Sequence, residues 1–316
     1  MTSLALTLPN NNEYLLVSER AFITDEIIKA YSKQLDTSDN TKKTYLACIT
    51  KFIKWLDDNS IDVVTYDILV TYKNELRNMY KARAINTHIT ALKDLFKFLE
   101  RKGFYNVAKY LKKERTDNNF NKDSLTIDQV KGIYNNIDTT TLEGARANAI
   151  FRLLVGTGLR ECEIVRADVK DLSVKGNKNV LYVKGKGESD KSKFVIIYPS
   201  VMQALQDYFI ARGNVKPNEP LFTSNSDRNN GQRLTTRTIQ RIVKGLYADN
   251  GIVSDRVTTH STRHTAITLA ILNGASVQQA QAMARHKDVN TTMIYFHNLN
   301  RLEDNAEEKL EQLFSK

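Results

Sequence analysis

At 316 residues the chain has room for two domains, since domains usually run to roughly 100–200 residues. Its hydrophobic content of 41% and charged content of 26% are ordinary for a soluble globular protein. Lysine and arginine number 46 against 36 aspartates and glutamates, and the resulting +10 points to a polyanionic partner, because each neutralised phosphate releases a counterion. The two cysteines, Cys48 and Cys162, make neither a disulfide framework nor a zinc pattern, and a reducing cytoplasm fits them. The N-terminus has no basic n-region, and Pro9 and the asparagines after it break its apolar run, so it does not read as a signal peptide. No run of about 18 apolar residues occurs, and neither a membrane span nor a membrane partner is expected.

Residues 1–20 are polar and aperiodic beyond a short Leu-rich patch and read as a flexible lead-in. Residues 21–111 carry a helical period. Ile27, Ile28, Tyr31 and Leu35 share one face; Tyr45, Ile49, Phe52 and Leu56 share the next. A third helix is expected over about Tyr66–Tyr80, and a fourth carries Ile85, Ile89, Leu92, Phe96 and Leu99 before Gly103 stops it. The spare faces hold cations, among them Lys42, Lys43 and Arg83. These either solvate the helices or touch DNA phosphates, with Asn86, Thr87 and Thr90 adding hydrogen bonds. Residues 112–123, KKERTDNNFNKD, read as a linker. In the second domain, 124–298, a helix opens at Ser124–Asp128. The runs Asn179–Val183 and Phe194–Tyr198 flank GKGESDKSK as strand, turn and strand. The whole is mainly α with a small antiparallel β-sheet.

Four short strings stand out. In Gly156-Thr157-Gly158-Leu159-Arg160-Glu161-Cys162-Glu163 a helix ends in a glycine turn and another begins at Arg160, with Glu163 on the same face. Lys186 sits between glycines at the hairpin tip. His260 and Arg263 stand three apart at a helix start, where both can face one anion. A metal site is the weaker reading of that pair, because no cysteine or carboxylate cluster completes a shell. Finally, His286 precedes Tyr295 by nine residues. Each string alone would be an ordinary surface or core feature.

Together they resemble the tyrosine recombinase and integrase family. The strings TGLRxxE, GKG, HxxRHT and a histidine nine residues before a tyrosine occur in the family's order, and the resemblance covers nearly the whole chain. It implies a helical, SAM-like core-DNA-binding domain followed by an α+β catalytic domain. It also implies that Arg160, Lys186, His260, Arg263, His286 and Tyr295 are catalytic, with Glu163 supporting them. One departure is visible: the family usually has Leu-Gly-His where this chain has Ala284-Arg285-His286, so an arginine replaces a small residue. Lys184, Lys191 and Lys193 are rivals to Lys186.

The implied reaction is transesterification at a DNA phosphate. Tyr295 attacks phosphorus and displaces the 5′-oxygen, leaving a 3′-phosphotyrosine that conserves the bond energy, so no ATP, metal or other cofactor is required. Arg160 and Arg263 suit the non-bridging oxygens and Lys186 the leaving oxygen. The implied partners are double-stranded DNA with a specific core site and a homotetramer on two such sites, with a partner recombinase or accessory protein as a further option. Residues 299–316, an amphipathic run through Leu299, Leu302, Ala306, Leu310 and Leu313, are expected to dock on a neighbouring protomer. The short lead-in suits a compact Xer-like recombinase without an arm-binding domain. Two alternatives stand beside this reading. One is a type IB topoisomerase-like strand transferase. The other is a DNA-binding regulator whose Asn273-Gly274-Ala275-Ser276 joins two helices as a helix-turn-helix does.

Overall fold

Thr24, Ser38 and Thr65 each turn a hydroxyl onto the backbone N–H three residues on, and a helix starts after each. The computed structural model describes residues 18–19, 23–116, 123–185, 190–303, 310–311 and 314–315. Two units emerge, dividing at Asn118 and Asn119. In the first, β1 (Ser18–Glu19) pairs antiparallel with β2 (Val63–Val64), and the helices are α1 (Asp25–Gln34), α2 (Asp39–Asp58), α3 (Tyr66–Met79) and α4 (Ala82–Arg101), with α2 and α3 packed on α4. Gly103, at φ 90, takes the left-handed backbone that follows the end of α4. The apolar faces close on Phe52, Leu56, Leu69, Leu92 and Phe96, all fully buried. Of the expected lead-in, Ser18–Glu19 is strand, and residues 1–17 lie outside the described part.

The start of the expected linker is docked on this unit. Glu114 pairs with Lys73 at 2.6 Å and Arg77 at 2.8 Å. Asn86 donates its amide to the Glu114 carbonyl at 2.9 Å and accepts the Glu114 N–H at 2.7 Å. The polar composition that suggests a free segment here supplies charge complementarity instead. The remainder of the expected linker, 117–122, lies outside the described residues.

The second unit opens with α5 (Ile127–Asn136), held by a reciprocal Thr126–Gln129 capping box, and α6 (Leu142–Thr157). After α7 (Glu161–Arg166), a single 3-10 turn leads into the antiparallel order β3 (Leu172–Lys175), β4 (Lys178–Val183) and β5 (Lys193–Ile196). Strand β3 was not expected, because the four-residue LSVK is mostly exposed and has no alternation to read. Then come α8 (Pro199–Arg212), α9 (Thr236–Asp249), α10 (Thr259–Leu272), α11 (Val277–Ala284) and α12 (Asn290–Glu303). Helix α10 packs against α6, α9, α11 and α12. Its buried hydroxyls bond within the turn before them: Thr262 donates to the Thr259 carbonyl at 2.7 Å and Thr265 to that of Ser261 at 2.8 Å. The boundary expected between Asn298 and Leu299 falls inside α12, so the tail begins as a continuation of the tyrosine's own helix. The side chains of Leu299, Leu302, Ala306 and Leu313 lie outside the described residues.

Candidate active site

Gly158 ends α6 in the left-handed conformation, φ 63, and its N–H returns to the Leu154 carbonyl. That turn puts Arg160 at the N-cap of α7, so the helix itself starts at Glu161, one residue later than expected. The Arg160 amide donates to Glu163 Oε2 at 2.7 Å, while its guanidinium lies 3.5 Å from Oε1. The Glu163 side chain is only 1% exposed and that of Arg160 30%. A second guanidinium meets the same carboxylate: Arg285 Nη2 donates to Glu163 Oε2 at 2.9 Å.

Arg263 enters from α10 and is 2% exposed. It donates to the Gly158 carbonyl at 2.5 Å and to that of Ala284, so one side chain satisfies the C-terminal ends of α6 and α11. A cation at helix C-termini is favoured by the macrodipole and by the orphan carbonyls there. Burial, then the charges of Arg160 and Arg285, lower its pKa to about 10, which leaves it cationic at neutral pH.

Tyr295 projects from α12 into a small cluster with Ile267, Ile271, Ala280 and Ala284, and is 6% exposed. Its Oη is 2.6 Å from His264 Nδ1, in a hydrogen bond, and the His264 ring stands edge-on to His260 at 4.9 Å. Burial pushes the phenol up to about 12, and Arg263 and Arg160 pull the other way. His286 stacks on Tyr295 at 6.4 Å and bonds through Nδ1 to Thr292 Oγ1 at 2.8 Å. Burial, then Arg263, Arg160, Arg285 and His260, hold its pKa down at about 4. Arg160, Glu163, His260, Arg263, His286 and Tyr295 therefore line one pocket of about 450 Å³. Five cationic side chains and two carboxylates face it, a balance that suits an anion.

Lys186 lies outside the described residues. Gly185, the residue before it in sequence, and Lys193 line the pocket. Lys191 is committed elsewhere, donating to Asp168 at 2.7 Å and Asp171 at 2.5 Å. Burial opposes its charge, but these carboxylates outweigh that and raise its pKa. In the helical unit Lys43 and Arg83 are exposed and Lys42 half-buried. The Asn86 amide is engaged at both ends by Glu114, and Thr87 and Thr90 donate to the carbonyls four residues earlier in α4. Among the pocket residues that the sequence did not single out as site residues are His264 and Arg285. His264 could have been found from its i,i+4 spacing to His260; Arg285 showed only as a departure from a family pattern. Among the described residues no group of three or more histidines, cysteines or carboxylates is placed to hold a metal, and no helix is long and apolar enough to cross a membrane.

A buried phenol ringed by guanidinium and imidazole groups is the equipment of an enzyme that acts on phosphate esters. The sequence pattern of the phage integrase family matches residues 123–301, and that of the phage integrase N-terminal SAM-like domain matches 28–103. A tyrosine recombinase of Synechococcus elongatus is 28% identical over 273 residues, covering 82% of this chain and 84% of that protein. Two solved structures share the fold. The XerH site-specific recombinase in a post-cleavage complex with palindromic difH matches with a TM-score of 0.71 and 18% identity, over 92% of this chain and 84% of that one. A lambda integrase tetramer on a Holliday junction matches with a TM-score of 0.64 and 18% identity, over 85% of this chain and 76% of that one. The chain belongs to the phage integrase family, the tyrosine recombinases.

Proposed function

We propose that the chain is a site-specific DNA recombinase that cuts and rejoins strands through a 3′-phosphotyrosine on Tyr295. The observation that carries this is the Tyr295 hydroxyl hydrogen-bonded inside a pocket that also holds Arg160 and Arg263. The scissile phosphate binds there, its non-bridging oxygens taken by N–H groups of the two guanidiniums. Tyr295 Oη attacks phosphorus, its proton passes to His264 Nδ1, and the phosphorus–O5′ bond breaks. Lys186 supplies the proton to the leaving 5′-oxygen. His260 and the neutral His286 hydrogen-bond the phosphoryl group. Charge grows on the non-bridging oxygens as attack proceeds, so fixed donors stabilise that state more than the ground state. A second strand's 5′-hydroxyl then reverses the step, and the strands are rejoined to new partners without another energy source.

The partners follow from this reading. Double-stranded DNA is bound at the Tyr295 pocket of the catalytic unit, and Lys42, Lys43 and Arg83 of the helical unit serve backbone phosphates. Four copies work on two sites, a reading supported by the lambda integrase of similar fold, which was solved as a tetramer bound to a Holliday junction. Leu310 and Phe314 are 51% and 80% exposed, which supports a tail that buries its apolar side on another copy. A groove lined by Phe194, Tyr198, Ala275 and Met283 is where a neighbour's tail would lie.

Covalent trapping tests the reading. The protein is incubated with sheared DNA from its source and denatured, and the protein-linked fragments are sequenced, with Tyr295→Phe as control. Adducts at one sequence that vanish in the variant are expected. Adducts that persist would move the nucleophile elsewhere. Relaxation of supercoils without exchange between two sites would favour the topoisomerase, and specific binding with no adduct would favour the regulator.

A further inference from the structure

Arg285 occupies a position that suits glycine. It caps α11 with φ 56 and ψ 39, the left-handed backbone in which a Cβ is unfavourable. Its side chain is nevertheless 7% exposed and fixed at two points. Nη1 donates to the Met283 carbonyl at 2.9 Å and Nη2 to Glu163 Oε2 at 2.9 Å. That carboxylate is among the most enclosed charges in the chain, and a buried carboxylate needs a cation close by. Two guanidiniums are within reach. The contact to Arg285 has normal charge-assisted length; that to Arg160, at 3.5 Å, is at the outer limit of a hydrogen bond.

We propose that Arg285 is a positioning residue that matches the charge of Glu163, so that Arg160 keeps its guanidinium for the DNA phosphate. The proposal rests on the recombinase reading given above. Without Arg285, the nearest cation to Glu163 is Arg160, and a movement of well under 1 Å would close the two into a full ion pair. The phosphate would then compete with a buried carboxylate for the same N–H groups. Lysine cannot substitute, because one ammonium on a flexible stem does not reproduce a fork that holds a carbonyl and a carboxylate together.

The test uses the full chain with sheared genomic DNA of its source as probe, and reads the single-turnover rate of covalent adduct formation alongside a thermal melt. Arg285→Gly is expected to fold as the wild type does, since glycine suits the left-handed backbone, and to slow adduct formation by about 10- to 100-fold. Adding Glu163→Gln to Arg285→Gly is expected to restore most of that loss. The amide still accepts the Arg160 N–H but no longer attracts its guanidinium. A merely structural role for Arg285 would not give this rescue. An Arg285→Gly rate equal to wild type would overturn the proposal, as would a double variant no faster than the single one. An Arg285→Gly chain that fails to fold would overturn it too, since Arg285 would then be holding the fold and not Arg160. A wild-type chain that forms no adduct would instead refute the recombinase reading, and this proposal with it.

Discussion

Replacing His286 by asparagine is expected to flatten part of the acid limb of the stability curve. The imidazole is held neutral by burial and by the cations Arg263, Arg160 and Arg285, which lower its pKa from 6.5 to about 4. The sign follows from proton linkage. Between those values the unfolded chain binds a proton that the folded chain refuses, so stability is complete above about pH 6.5 and falls as the pH drops towards 4. At about 1.4 kcal/mol for each pH unit, the loss is roughly 2 kcal/mol at pH 5 and about 3 kcal/mol once both states are protonated. Asparagine places a polar atom near the position of Nδ1, within reach of Thr292, and cannot titrate. It is therefore expected to cost a roughly constant 1 kcal/mol at neutral pH, through imperfect bonding to Thr292. Urea unfolding of both chains from pH 7.5 to 4.5 measures this. His88, lowered in pKa by its own burial, and the carboxylates contribute equally to both proteins and cancel in the difference. The wild type should lose stability relative to the variant by about 2 kcal/mol between pH 7.5 and 5. A difference that does not change with pH would refute the argument that the neighbouring guanidiniums and burial keep His286 neutral.

His264→Gln is expected to slow covalent adduct formation by about 100-fold while DNA affinity stays near wild type, since the phenol loses its proton acceptor and no phosphate contact is removed. A variant within a few-fold of the wild-type rate would exclude His264 from proton transfer. Truncation after Glu303, which leaves α12 whole, is expected to keep cleavage by isolated protomers but to abolish tetramers on DNA, measured by light scattering. Unchanged tetramers would remove the tail from assembly.

What the sequence made legible was local. The glycine turn before Arg160, the antiparallel pair β4 and β5 and the spacing of His260 and Arg263 depend on neighbours within a few residues, where turn chemistry and helical period decide the geometry. What it hid was long-range or masked by composition. Arg285 and Glu163 are 122 residues apart, and nothing in either string requires their meeting. Helix α10 is buried around much of its circumference although it carries Thr259, Ser261, Thr262 and Thr265. Hydroxyls that return to their own helix can be enclosed where the apolar period shows no face. Residues 112–116 read as solvated because they are polar, yet Glu114 is held by two cations brought from α3.

The setting of Tyr295 has a consequence for mixed assemblies. The phenol packs against Ile267, Ile271, Ala280 and Ala284 of its own chain, and Arg160, Arg263 and His264 come from that chain as well. On the recombinase reading, each subunit thus brings the attacking tyrosine and both arginines as a single genetic unit. Copies lacking Tyr295 and copies lacking Arg160 would not complement one another in one complex, and blending wild type with either defect would dilute strand cleavage in proportion to the share of intact subunits.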